Sequence, residues 1–182
     1  MAIFMHSLQF PSDAKVVVDV QYASTQEFLP LQESICAWVS ATFRLITNAS
    51  SPVFSVNQQR SDDLGVELTV RIVDEEEGIT LNRKYRGQEK ATNVLSFPCD
   101  ISTVLNFNLL GDIVICAPVV KREADTKYKK PYNAHWAHMV THGTLHLLGY
   151  EHESTMEARH MESIETAVLA HLGFPDPYQD PD

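Results

Sequence analysis

Cysteine is scarce in this 182-residue chain: Cys36, Cys99 and Cys116 are odd in number and far apart. That argues against a disulfide scaffold and fits a reducing cytosol. No apolar run is long enough to span a bilayer. The opening MAIFMHSLQF has neither a basic n-region nor a long apolar stretch, so no signal peptide is expected. Basic residues are in short supply as well: 14 Lys and Arg stand against 24 Asp and Glu, a formal net charge of −10. Such a balance speaks against non-specific nucleic-acid binding. There are no repeats and no internal linker. These absences define a soluble protein, expected in the cytoplasm and without a membrane partner.

What remains is enough for a real core, with 44% hydrophobic residues in a chain of single-domain length. The few basic residues are unevenly placed. RKYRGQEK (Arg83 to Lys90) and KREADTKYKK (Lys121 to Lys130) hold nine of the fourteen, with three acidic residues. These windows carry +6 and leave −16 for the rest. On charge alone they read as two solvated faces.

Helix-like and strand-like segments alternate, which points to an α/β or α+β fold. KVVVDV (Lys15 to Val20), VELTVRIV (Val66 to Val73), NVLSF (Asn93 to Phe97) and LLGDIVIC (Leu109 to Cys116) read as strands. A helix follows Pro30, with Leu31, Ile35, Trp38, Thr42 and Leu45 on one face. DEEEGITLNRKYRG places acids in its first turn and bases in its last, as the helix dipole prefers, and Gly87 can cap it. Pro118 opens a short helix, and NAHWAHMVTHGTLHLLG forms the next, ending at Gly149. A last helix carries Ala158, Met161, Ile164, Val168 and Leu172 on a core-facing stripe. Residues 1–174 are read as one domain, and 175–182, acidic and proline-rich, as a disordered tail.

Four of the eight histidines stand at 135, 138, 142 and 146. His138, His142 and His146 share one helix face, but residues eight apart are separated by about 12 Å along the axis. Zinc–nitrogen bonds are only about 2.0–2.1 Å. One ion therefore takes an i, i+4 pair and needs a third ligand from elsewhere. Gly149 can reverse the chain in the left-handed conformation and return His152 toward His146. This selects His142, His146 and His152, and leaves His138 to support a ligand, face substrate or simply pack. Unrelated polar residues on an exposed helix would not account for the pair and the glycine together. Three imidazoles favour Zn²⁺, with other divalent transition metals also open, and leave one position free, the catalytic arrangement. A zinc peptidase of the HExxH type has glutamate directly after the first histidine; here that residue is Gly143.

HGTLHLLGYEH resembles the HGxLHLxGYDH signature of the YbeY family, metal-dependent endoribonucleases of ribosomal RNA maturation. LNRKYRGQEKATNVLSFP is similar to the family's LNxxYRxxxxxTDVLSFP segment, and LGDIVIC to its LGDIxI strand. The matches run in family order from about Leu81 to Leu172, half of the chain. Glu151 and Asn93 stand where aspartate is common in the family. The resemblance implies a mixed, about four-stranded sheet with the metal helix packed beside it, a zinc-peptidase-like architecture. It implies one Zn²⁺ per chain on His142, His146 and His152, and makes Arg86 the functional arginine beside the metal. On spacing alone Arg86 is a helix-end residue facing the dipole; with the resemblance it becomes a fork for phosphate.

The expected function is a zinc-dependent, single-strand-selective endoribonuclease in maturation of ribosomal RNA, chiefly of the small subunit. Its expected partners are single-stranded or precursor ribosomal RNA, the small ribosomal subunit and associated assembly proteins. Water and the RNA's own 2′-OH both stay open as nucleophile, and Glu151 and His138 as general base. Two rivals remain: a hydrolase of another substrate such as peptide, and a metal-stabilised ribosome-assembly factor with little catalysis.

Overall fold

The computed structural model describes residues 15–49, 65–99, 109–125 and 132–179. These form β1 (Val16–Tyr22), α1 (Gln32–Ala49), β2 (Val66–Val73), α2 (Glu75–Arg86), β3 (Val94–Pro98), β4 (Leu109–Cys116), α3 (Ala117–Glu123), α4 (Tyr132–Leu147) and α5 (Thr155–His171). The strands make one sheet in the order β1-β2-β4-β3. β1, β2 and β4 run parallel, and β3 closes one edge antiparallel to β4. The chain is a single α/β domain with a four-stranded mixed sheet, as its alternating pattern and family resemblance imply. The opening MAIFMHSLQF, Lys127, Lys129 and Lys130 of the second basic window, and the last three residues lie outside the described residues.

Sequence and sheet agree most closely at β2. Its alternating Val66, Leu68, Val70 and Ile72 are buried on one face, and β-branched residues suit a strand paired on both sides. At β4 one backbone constraint sets the site's frame. Gly111 has φ +132°, and a Cβ there would lie 2.1 Å from the Phe97 carbonyl oxygen. Only glycine lets β3 and β4 approach so closely. The same point carries a bulge, since Glu67 pairs with Leu109 but Leu68 with Gly111.

α1 and α4 cover one face of the sheet, with α5 packed against them, around the main core, which joins Ile35, Trp38 and Phe43 to Leu68, Ile113 and Trp136. α2 and α3 cover the other face, over Val73, Leu95, Val114 and Cys116. In α1 the expected Ile35, Trp38 and Thr42 point inward, but Leu31 precedes the helix and is 70% exposed. α2 ends as expected at Gly87, whose left-handed backbone (φ +66°) donates its N–H to the Arg83 carbonyl. α5 opens with a capping box between Ser154 and Glu157.

One expectation changes. On α5, Met161 and Val168 are buried with Leu169, while Ala158, Ile164 and Leu172 are only partly covered. Between them sits an acid, Glu165, at 1% exposure. A stripe defined by apolar spacing misses it, because its burial depends on partners from another helix. The start of the C-terminal segment, up to Gln179, touches α5. Pro177 is buried, the Thr166 hydroxyl donates to Asp176, and the Tyr178 hydroxyl donates to Glu165.

Candidate metal centre

α4 is buried almost all round. From Ala134 to Leu147 the residues that are not buried are His138, His142 and His146. A helix with an apolar surface on nearly every side belongs in the core; this one keeps open only its i, i+4 histidine line. The helix ends in a reversal. Gly149 takes φ +87° and donates to the His146 carbonyl, and Tyr150 N–H donates to the Leu145 carbonyl at 3.0 Å. Glycine reaches this left-handed conformation without the penalty a Cβ imposes. The chain then doubles back and sets the His152 ring 5.0 Å from that of His146 and 5.5 Å from that of His142.

One ligand atom from each of His142, His146 and His152 lies within 4.8 Å of the others. Nε2 of His142 and Nε2 of His146 are 3.1 Å apart. Their opposite nitrogens are occupied. His142 Nδ1 donates to Glu165 Oε1 at 2.7 Å, and His146 Nδ1 faces Glu151 Oε2 at 3.4 Å. With Nδ1–H held by a carboxylate, each ring turns its Nε2 lone pair toward the shared space, the tautomer a metal ligand needs. Two lone pairs converging at that distance suit a cation between them. The residues fit a metal ion, and three imidazoles leave a fourth position for another ligand.

The electrostatics follow from burial. Burial alone would raise the Glu165 carboxyl, but hydrogen bonds from His138 and His142, with their charge, outweigh it and bring it from 4.5 to about 2. Burial, aided by the charges of His142, His152 and Arg86 and opposed by the Tyr150 backbone, lowers His146 from 6.5 to about 4. A neutral imidazole is the form that binds metal.

Each expected residue has a definite place. His142, His146 and His152 come together. His138 does not join them: its Nε2 lies 3.3 Å from Glu165 Oε2, and its ring meets that of Tyr178 edge-on at 5.5 Å. Arg86 ends α2, exposed, and its positive charge is the smallest of the influences that lower His146. Glu151 is half-exposed against His146. Asn93 bonds Glu123, which also meets the buried His135, so that pair ties β3 and α3 to α4 away from the triad. Gly143 faces the sheet, where a Cβ would stand 2.7 Å from Ile113 Cγ2. The position held by glutamate in HExxH peptidases has no room here for any side chain. The residues that spacing did not reveal are Glu165 and Tyr178; a carboxylate within an apolar stripe was the only signal for the first. Beside the triad, a recess of about 210 Å³ opens between His142 and His152 on one side and α5 with Tyr178 on the other.

Fold and site together define an α/β protein with a candidate three-histidine metal centre open on one side. The profile of the family described as "Endoribonuclease YbeY" matches residues 37–173. An "Endoribonuclease YbeY" from Cellvibrio japonicus is 46% identical over 167 residues, 92% of this chain and 85% of that protein. One of the same name from Nitrosococcus oceani is 44% identical over 166 residues, covering 90% and 97% of the two chains. The solution structure of TM1509 from Thermotoga maritima is 21% identical, with a TM-score of 0.49 over 89% of this chain and 97% of that one. This chain belongs to the YbeY family of endoribonucleases, as its motifs imply.

Proposed function

We propose that the chain is a zinc-dependent endoribonuclease, selective for single strands, that acts in the cytoplasm on precursor ribosomal RNA, chiefly of the small subunit. The observation that carries this reading is the convergence of His142, His146 and His152 in a member of this family. His142, His146 and His152 would hold the ion. When bound, zinc supplies Lewis acidity at neutral pH.

The chain's own residues do the rest. Glu165 and Glu151 hold the Nδ1 side of two imidazoles, so that Nε2 faces inward without rearrangement. Arg86 makes no ion pair among the described residues, and its guanidinium is left to fork a phosphate and hold the charge that grows on it. The exposed Arg83, Lys84 and Lys90 beside it offer a track for the backbone, positioning RNA without reading sequence. Small-subunit assembly proteins are the partners this role requires. The peptide-hydrolase rival loses support, since Gly143 leaves no space for a glutamate base.

Zinc-loaded wild-type protein should cut a precursor ribosomal RNA transcript within its single-stranded stretches. Arg86→Glu should lower the rate by at least about a hundredfold, the scale for losing one transition-state donor, with metal content and melting unchanged. Cleavage by Arg86→Glu at the wild-type rate would reduce Arg86 to a helix-end residue. Inactivity of the wild type on every RNA would sink the nuclease reading.

A further inference from the structure

The recess beside the triad is lined by His142 and His152, by Ala158, Met161 and Glu162 of α5, and by Tyr178. We propose that it takes one unstacked nucleobase of the RNA, next to the bond that is cut, and favours bases bearing an amino group over uracil. This rests on the nuclease reading above and adds to it which part of the substrate sits where.

The first argument is charge. The recess is lined by two carboxylates, Glu162 and Glu165, and by no lysine or arginine. A phosphate would be repelled there, whereas an uncharged ring would not. Arg86, the cation that suits phosphate, does not line the recess. Phosphate and recess are therefore separate parts of the site, as a phosphodiester and its neighbouring base would be.

The second argument is shape. About 210 Å³ lies below the roughly 300–1,000 Å³ of drug-sized ligand sites and matches a single flat ring system. Buried Met161 and the small Ala158 give it an apolar floor. Tyr178 is 47% exposed, with its hydroxyl anchored on Glu165 and its ring edge-on to His138. An aromatic ring anchored through its hydroxyl and about half exposed offers a stacking surface for a base.

The third argument is hydrogen bonding. Glu162 is exposed on the rim and engages no partner among the described residues. An ionised carboxylate only accepts hydrogen bonds. It selects edges rich in donors, which adenine, guanine and cytosine present as amino groups and uracil does not. A base must leave its helix to enter such a recess, so the recess itself gives a physical reason to prefer single strands.

The test is cleavage of short single-stranded RNAs that differ only in the nucleotide beside the cut bond: amino-bearing base, uracil, or abasic. Zinc-loaded wild type should show kcat/KM about tenfold higher for the amino-bearing base than for uracil, the scale of one lost recognition contact, and lower still for the abasic RNA. Glu162→Gln should erase the difference between amino-bearing base and uracil. Ala158→Phe, which fills the recess, should raise KM at least about tenfold while metal content and melting stay as in wild type. Equal cleavage of all three RNAs by wild type, with Ala158→Phe unchanged, would overturn the recess and leave the nuclease reading standing. Failure of wild type to cut any member would remove both.

Discussion

Glu165 is the residue on which the site turns. It lies on α5, at 1% exposure, and serves His142, His138 and Tyr178 at once. A buried carboxylate is costly unless it is paired and hydrogen-bonded, and here every partner is a donor. Glu165→Gln keeps the shape but offers only one acceptor oxygen, so His142 loses its fixed orientation. Zinc affinity should fall by about 10–100-fold, read by competition with a chromophoric chelator. An unchanged affinity would show that Glu165 is structural only. The pH dependence has a definite sign. The folded carboxyl sits at about 2 against an ordinary 4.5, so its contribution is complete above about pH 4.5 and is lost as pH falls toward 2. Metal-free wild type should therefore lose more stability between about pH 5 and pH 3 than Glu165→Gln does, measured by thermal melting. His138→Ala should leave zinc content intact, because His138 meets Glu165 rather than the shared space. Zinc lost as fully as in His142→Ala would show that the triad is wrongly drawn.

Two glycines do the work of whole elements, for different reasons. Gly143 lets α4 lie on β4: an added Cβ would meet the branched Ile113 side chain at 2.7 Å, near its root rather than its flexible end. Gly143→Ala should destabilise the fold by about 1–3 kcal/mol, the usual cost of overpacking. Denaturation of this variant at the wild-type midpoint would mean that helix and strand can slide apart. Gly149 has open space around its Cα but a backbone at φ +87°. Gly149→Ala should cost about 1–2 kcal/mol through conformation alone, and should weaken zinc binding, since the same turn delivers His152. A variant that loses stability but holds zinc as tightly as wild type would separate the turn from the ligand. At this scale the boundaries in the sequence were good. β2 and β4 lie where alternation and apolar runs put them, and β1 extends two residues further than expected, to Tyr22.

For the whole molecule, metal and fold should be linked. An ion that binds the folded chain alone adds about 2.7 kcal/mol at a hundred times its dissociation constant, or about 5–10 °C of melting temperature for a chain of this size. Chelation should reverse that shift, and elemental analysis should find close to one zinc per chain; melting that ignores the chelator would deny the link. The charge distribution also acts at this scale. A net −10 holds RNA away from most of the surface, while Arg83, Lys84, Arg86 and Lys90 lie exposed on one short stretch ending α2. RNA binding should weaken steeply with salt, since each phosphate contact releases counterions. Among the described residues no helix is long and apolar enough to cross a membrane.

The sequence by itself determined the strands, the helices, the i, i+4 histidine pair and the glycine that returns His152. These are local properties: side-chain periodicity, a backbone position that only glycine takes easily, and a helix geometry that fixes which residues share a face. It also carried the family resemblance, through contiguous motifs around those same residues. The tertiary structure decided what depends on elements distant along the chain. Glu165 reaches His142 across 23 positions, an approach with no local periodicity to announce it. Gly143 looked like a missing catalytic glutamate; against Ile113 it is a packing requirement, visible only once α4 lies on β4. The Tyr178 hydroxyl likewise bonds a carboxylate that only the folded α4–α5 pair presents. Local rules place donors and ligands along the chain, and only packing decides which of them meet.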